Sequence, residues 1–244
     1  MRDAEKLDKE RAEEFHTTVA KALFVSKRAR DDILPTVAFL CTRVREPDQD
    51  DWNKLLRMLR YLQATKNVVK TLSMDNSGII HWWADAAFAV HPDMKSRTGG
   101  ILSAGKGAIT SISSKHKLVT KSSTEAEIAG ADDVLSHLMW TKLFMEAQGY
   151  PAKQTILYQD NMSAILLEKN GKESSGKRTR HINIRYFYIK DRIANGDLEI
   201  KHCPTDDMLG DFMTKPIQGK KFRKFFKKIM NVESGPILTD ELEV

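Results

Sequence analysis

Residues 79–90 read IIHWWADAAFAV. A run rich in Ile, Trp, Phe and Val, entered through the turn signal Asp75-Asn76-Ser77-Gly78, predicts a β-strand. Its single acid, Asp85, lies amid Trp, Ala and Phe, where a carboxylate is costly unless it is paired or metal-bound. Two further strands are expected at Thr98–Ala104 and Ala108–Ser113, with Gly105-Lys106-Gly107 as the hairpin connection. Ser122 to Gly149 reads as a long helix. Ser122-x-x-Glu125 and Thr124-x-x-Glu127 both fit a capping box, and Gly149 and Pro151 mark its end. Beyond it the pattern predicts a strand at Thr155–Gln159, a helix near 161–169, a polar flexible loop at Gly171–Lys177 and a helix over 179–194. A strand at Leu198–Cys203 and a helix from Asp206 or Asp207 through Met213 complete the series. The order β-β-β-α-β-α-α-β-α predicts an α/β fold: a mixed five-stranded sheet, its first three strands antiparallel, flanked by helices.

Upstream of residue 70 the character is different. Residues 4–29 repeat apolar residues at helical spacing: Leu7, Ala12, Phe15, Val19 and Leu23. Residues 33–44 are apolar and expected to be buried. Asp48–Asp51 offer caps for a second amphipathic helix with Trp52, Leu55, Leu56, Leu59 and Leu62 on one side. Three regions are therefore expected: an all-helical segment over 1–68, an α/β domain over 69–232 that includes a basic helix near 218–230, and a flexible acidic tail over 233–244.

The 244 residues hold 39 Lys and Arg against 33 Asp and Glu, a net +6. Residues 171–230 alone hold 15 bases and 7 acids, a net +8, as expected for a groove that holds phosphates. No run approaches a membrane span, so no membrane partner is expected. The N-terminus lacks the apolar core of a signal peptide, and Cys41 and Cys203 make neither a disulfide framework nor a zinc site. These features disfavour secretion and structural zinc.

Four acids stand out by context: Asp85, Asp160 at the end of an apolar strand, Asp211 between Leu209-Gly210 and Phe212-Met213, and one of the two glutamates of SSTEAEI. Helical positions i and i+2 differ by about 200°, so only one glutamate faces the core. The face of Glu127 continues through Ala131, Val134, Leu135 and Leu138 and is apolar. The face of Glu125 passes Asp132 and Ser136, so Glu125 is expected to cap the helix or meet solvent. Carboxylates gathered from distant elements call for hard cations, Mg²⁺ or alternatively Mn²⁺.

Several segments carry a resemblance: TKSSTEAEI (120–128), YQDNMSAI (158–165), KRTRHINIRYFYIKD (177–191) and PTDDMLGDFMTKP (204–216). Together they resemble the ribonuclease H domain of copia-type LTR-retrotransposon polyproteins. FHTTVAKALFVSKRARDDILPTVAFLCTRV (15–44) and DDWNKLLRMLRYL (50–62) resemble the helical end of the reverse transcriptase that precedes that domain, its thumb and connection. The resemblance implies a ribonuclease H-like fold and Mg²⁺-dependent, two-metal cleavage of the RNA strand of an RNA–DNA hybrid during reverse transcription. Asp85, Glu127, Asp160 and Asp211 match the catalytic, metal-holding acids. Departures from the pattern are Ala87 where many members carry a second acid, Met162 for Gln, and Gly210 for Ala, which is expected to loosen the last helix. Lys177, Arg178, Arg180, His181, Arg185, Lys215, Lys220 and Lys221 are the expected nucleic-acid contacts. For His181 a packed structural role stays open. His202 sits in a strand pattern, which disfavours a role in product release. The implied partners are the hybrid and the remainder of the reverse transcriptase, and the implied setting is intracellular, in a cytoplasmic virus-like particle. No strand ends in a Tyr-x-Asp-Asp type pair, so no polymerase site is expected in this chain. The alternative is a non-catalytic nucleic-acid-binding remnant of such a polyprotein.

Overall fold

A computed structural model describes residues 4–170 and 183–233. Two compact units emerge from it, one of residues 72–215 and one that joins residues 1–71 to 216–244.

The larger unit is built on the strand Ile79–Ala87 (β2), which lies at the centre of a five-stranded sheet. Arg97–Ser103 (β3) pairs antiparallel with β2, and Thr110–Lys115 (β5) antiparallel with β3. Gln154–Gln159 (β6) pairs parallel with β2, and Glu199–His202 (β7) parallel with β6. Three antiparallel strands followed by two parallel ones around a central first strand are the mixed ribonuclease H-like sheet expected from the sequence. The hairpin differs in one respect. Gly105–Lys106 (β4) does not simply turn; it pairs with Ser73–Met74 (β1) as a small second ladder.

Alternation along β2 explains its two roles. Ile80, Trp82 and Ala84 are buried against the helix Ser123–Ala147 (α4) through Val134, Leu135 and Leu138, with Leu157 of β6 and Ile200 of β7 in the same cluster. Trp82 is fully buried, as a core residue. Trp83 points the other way and stacks on Tyr158, with ring centroids 5.2 Å apart. Met162–Asn170 (α5) and Asn183–Ala194 (α6) complete the flanking helices.

The last helix of this unit is shorter than the sequence pattern predicts. Residues 205–207 and 209–210 form turns, and the helix runs only from Asp211 to Thr214 (α7). Its docking depends on two glycines. A Cβ on Gly99 of β3 would fall 2.6 Å from both Gly210 O and Thr214 Cγ2. A Cβ on Gly210 would fall 2.9 Å from Asp85 N. Gly210 therefore does not loosen α7; it allows α7 to rest directly on the backbone that carries Asp85.

The helical unit contains Lys9–Arg28 (α1), a 3-10 turn at Asp31–Ile33, Leu34–Cys41 (α2), Gln49–Ala64 (α3) and Gly219–Met230 (α8). Asp8 caps α1, and Asp48 with Asp51 forms a full capping box at α3. The buried stripe of α3 is Leu55, Met58 and Tyr61, whereas Leu59 of the expected stripe is exposed. Arg30, Asp32, Tyr61 and Thr65 form a buried network in which Arg30 donates to both Asp32 oxygens (2.9 and 2.8 Å) and the Tyr61 hydroxyl donates to Asp32 Oδ2 (2.6 Å).

Helix α8 differs from the expected division at residue 232. It buries Phe222, Phe225, Phe226, Ile229 and Met230. The Phe222 ring meets Tyr61 edge-on at 6.3 Å, and Thr71 N donates to Met230 O. Its apolar stripe thus completes the core begun by the first 71 residues, and Pro216 separates it from α7. The expected acidic tail lies outside the described residues apart from Glu233.

Gly99→Ala is expected to destabilise the protein by about 1–3 kcal/mol, because the new methyl meets backbone and a short β-branched side chain rather than a flexible one. Urea unfolding of the variant beside the unaltered protein measures this.

Candidate active site and metal centre

Each acid reaches the site from an element whose sequence fixes its direction. Asp85 sits near the end of β2 on the face opposite Trp82 and Ala84, and it is 2% exposed. Glu127 lies one turn into α4. Ser122 accepts from Glu125 N at the start of that helix, and Glu125 Oε2 accepts from Lys121 N at 2.8 Å. Glu125 thus caps the helix, as expected, but in a buried setting rather than in solvent. Glu127 turns inward and accepts from Ala86 N at 3.1 Å. Asp160 follows the last residue of β6 and accepts from Thr205 Oγ1 at 3.3 Å.

One oxygen from each of Asp85, Glu127 and Asp160 lies within 4.8 Å of the others. Asp211, the fourth expected acid, is buried beside this trio but joins it through a cation. Lys215 Nζ stands 2.5 Å from Asp211 Oδ1 and 3.4 Å from Asp85 Oδ1. The Thr214 hydroxyl donates to Asp85 Oδ2. Thr214 was not singled out from the sequence. Its signal was the TKP triplet after Asp211, which puts a hydroxyl and an ammonium one turn beyond that acid.

The electrostatics follow from this crowding. Burial, with the charges of Asp85 and Asp160, pushes the Glu127 carboxyl up to about 9, against Lys215 and the Ala86 N–H. Asp85 is also raised, chiefly by burial and further by Asp211 and Asp160, while Lys215 and Thr214 oppose the shift. Burial pulls Lys215 down, but Asp85, Asp211 and Asp160 outweigh it and hold the ammonium above its ordinary value. Three oxygen donors with one partial counter-charge are a hard, anionic donor set, which suits Mg²⁺ or Mn²⁺ and not a soft metal.

The expected nucleic-acid contacts are dispersed. Lys215 is drawn into the acid cluster. Arg185 pairs with Asp132 of α4 at 3.6 Å and is half-buried. Lys220 and Lys221 lie on α8 of the helical unit, Lys220 exposed and Lys221 over the Phe225 ring at 5.3 Å. Lys177, Arg178, Arg180 and His181 fall outside the described residues. His202 ends β7 with its side chain exposed. No helix among the described residues is long and apolar enough to cross a membrane.

No protein-family model matches the chain. It is 32% identical over 209 residues to the retrovirus-related Pol polyprotein from transposon RE2 of Arabidopsis thaliana, a match covering 85% of this chain and 14% of that protein. For transposon RE1 of the same plant the identity is 33% over 202 residues, covering 82% and 14%. For transposon TNT 1-94 of Nicotiana tabacum it is 28% over 222 residues, covering 91% and 16%. Among solved structures, an RNase H1 isolated from compost by a metagenomic approach is 14% identical with a TM-score of 0.41, covering 56% of this chain and 93% of that one. The chain thus spans about one-seventh of the curated relatives it matches. By identity held across more than four-fifths of its length, the chain belongs to the copia-type retrotransposon Pol polyproteins.

Proposed function

We propose that this segment is the ribonuclease H of a retrotransposon polyprotein, hydrolysing the RNA strand of an RNA–DNA hybrid during reverse transcription, inside the cell and within a cytoplasmic particle. The observation that carries the reading is the convergence of Asp85, Glu127 and Asp160 within 4.8 Å on a ribonuclease H-like sheet. These three residues would hold the divalent cations, with Asp211 supporting them through Lys215. When bound, Mg²⁺ or Mn²⁺ supplies charge stabilisation for the attacking and leaving oxygens of a phosphodiester. The chain's own part is to fix the geometry. Thr214 and Lys215 orient Asp85, the Ala86 N–H orients Glu127, and Thr205 orients Asp160. Hybrid recognition would rest on phosphate and 2′-OH contacts and show no base preference. Its cations would include Arg185, Lys220 and Lys221, together with Lys177, Arg178, Arg180 and His181 of the motif at 177–181. The remainder of the reverse transcriptase is the natural partner of the helical unit.

Labelled RNA–DNA hybrid incubated with Mg²⁺ is expected to be cut by the unaltered chain. Asp160→Asn should cut it about a hundredfold more slowly or worse, while still binding it. Binding without cleavage by the unaltered chain would instead favour a non-catalytic module, and equal cleavage by both proteins would remove Asp160 from the site.

Metal affinity should also depend on pH. With Glu127 held at about 9 in the metal-free protein, a proton must leave before its carboxylate can ligate. Apparent Mg²⁺ affinity should rise with pH, by up to about tenfold per unit below 9, and level off above it. Calorimetric titration in buffers of different ionisation enthalpy should show the released proton, and Glu127→Gln should lose that proton-coupled component.

A further inference from the structure

Helix α5 carries a carboxyl that the acid cluster does not use. Glu168 is 0% exposed, and its Oε1 accepts from Gln159 Nε2 at 3.2 Å. Among the described residues its other oxygen, Oε2, has no hydrogen-bond partner, and neither does Gln159 Oε1. Two side chains that touch through one hydrogen bond thus each leave a buried oxygen unsatisfied, which is costly. A single proton on the carboxyl satisfies both oxygens at once. Its hydroxyl donates to the amide oxygen while the amide NH₂ donates to the remaining carboxyl oxygen.

We propose that Glu168 is a neutral carboxylic acid whose hydroxyl donates to Gln159 Oε1, and that this amide–acid ring is a positioning device for Asp160. Gln159 is the last residue of β6 and the one immediately before Asp160. Its carbonyl is held by Cys203 N at 2.7 Å. On the other side of Asp160, Asn161 Oδ1 accepts from Ala164 N at 3.0 Å and starts α5. The ring ties the far end of α5 back to the strand, so the short link bearing Asp160 is clamped from both directions.

The surroundings favour the neutral form. Charged groups on the elements packed against α5 are engaged elsewhere or face outward, and Arg192 of α6 pairs with Asp191 and Asp197 although its buried Nε has no hydrogen-bond partner among the described residues. Asp132 of α4 pairs with Arg185 of α6, Lys190 of α6 donates to Asn170 O, and Lys201 of β7 pairs with Glu199. His202 of β7 is exposed. Among the described residues no cation pairs with Glu168. Burial pushes its carboxyl up to about 8, opposed only by the Gln159 hydrogen bond. The clamp matters to the reading above only through Asp160, so its test reads protonation and metal binding without relying on cleavage.

The experiment compares the full chain with Glu168→Gln and Glu168→Leu. At pH 6 the unaltered protein should show a carboxylic-acid C=O infrared band that Glu168→Gln lacks. An amide at 168 can close the same ring, so Glu168→Gln should match the unaltered protein in stability below about pH 4.5. The folded-state value lies above that of the unfolded chain, so stability from this group is full below about 4.5 and lost as pH rises through about 8. The unaltered protein should therefore lose stability relative to Glu168→Gln between those limits. Glu168→Leu should weaken Mn²⁺ binding, read by electron paramagnetic resonance, about tenfold, and Glu168→Gln should restore it. Absence of the band difference, as an ionised Glu168 bridged by a buried water would give, overturns the proposal. So does unchanged Mn²⁺ affinity in a folded Glu168→Leu. If Glu168→Leu does not fold, Mn²⁺ affinity in the unaltered protein relative to Glu168→Gln should fall above pH 8, and parallel trends overturn the proposal.

Discussion

The structure of the larger unit turns on keeping three carboxylates together. At an effective dielectric of about 20, two ionised groups 4.8 Å apart repel by about 3 kcal/mol. The chain meets this in two ways. Glu127 keeps its proton near neutrality, and Lys215 lies between Asp85 and Asp211 as an internal counter-charge. Both devices depend on α7 lying close to the sheet. Thr214 and Lys215 reach Asp85 only because Gly99 and Gly210 leave no side chain between the helix and the strands. The two glycines are as much a part of the electrostatics as the charged groups.

Much of this was legible in the residues. Strand β2 announced itself by composition, α4 by its capping pattern, and the choice of Glu127 over Glu125 followed from helical geometry alone. The direction of Asp85 was legible too, since the alternation that buries Trp82 turns Asp85 to the other face. Other features were not visible because they depend on long-range packing. Gly210 looked like a weakness in a helix when judged by local propensity. Only its distance from Asp85 N shows it to be a close-approach residue. That Lys215 also reaches Asp85 was not visible, because Asp85 is remote in sequence. The Gln159–Glu168 pair was missed for the same reason: a glutamate one residue before a lysine on a short helix reads as solvent-facing until the strand beneath it is placed.

The two units differ in how they handle buried charge. In the helical unit, Arg30, Asp32, Tyr61 and Thr65 satisfy one another, so burial is compensated by hydrogen bonds and an ion pair. In the larger unit the acids outnumber their partners. A fully satisfied network makes a core rigid and specific, whereas an under-compensated one stores affinity for an outside cation.

The placement of α8 bears on the order of synthesis. Most of the helical unit is made before the larger unit, yet part of its core, Phe222, Phe225 and Phe226, comes from residues made after the entire larger unit. At roughly 5–20 residues per second, the surface around Tyr61 waits on the order of ten seconds or more for its last helix. The larger unit, whose described elements all come from one continuous stretch, can close first. Vectorial folding would then run inside out: of the two units, the one begun earlier finishes later, and during that interval its unpaired apolar face needs protection from aggregation.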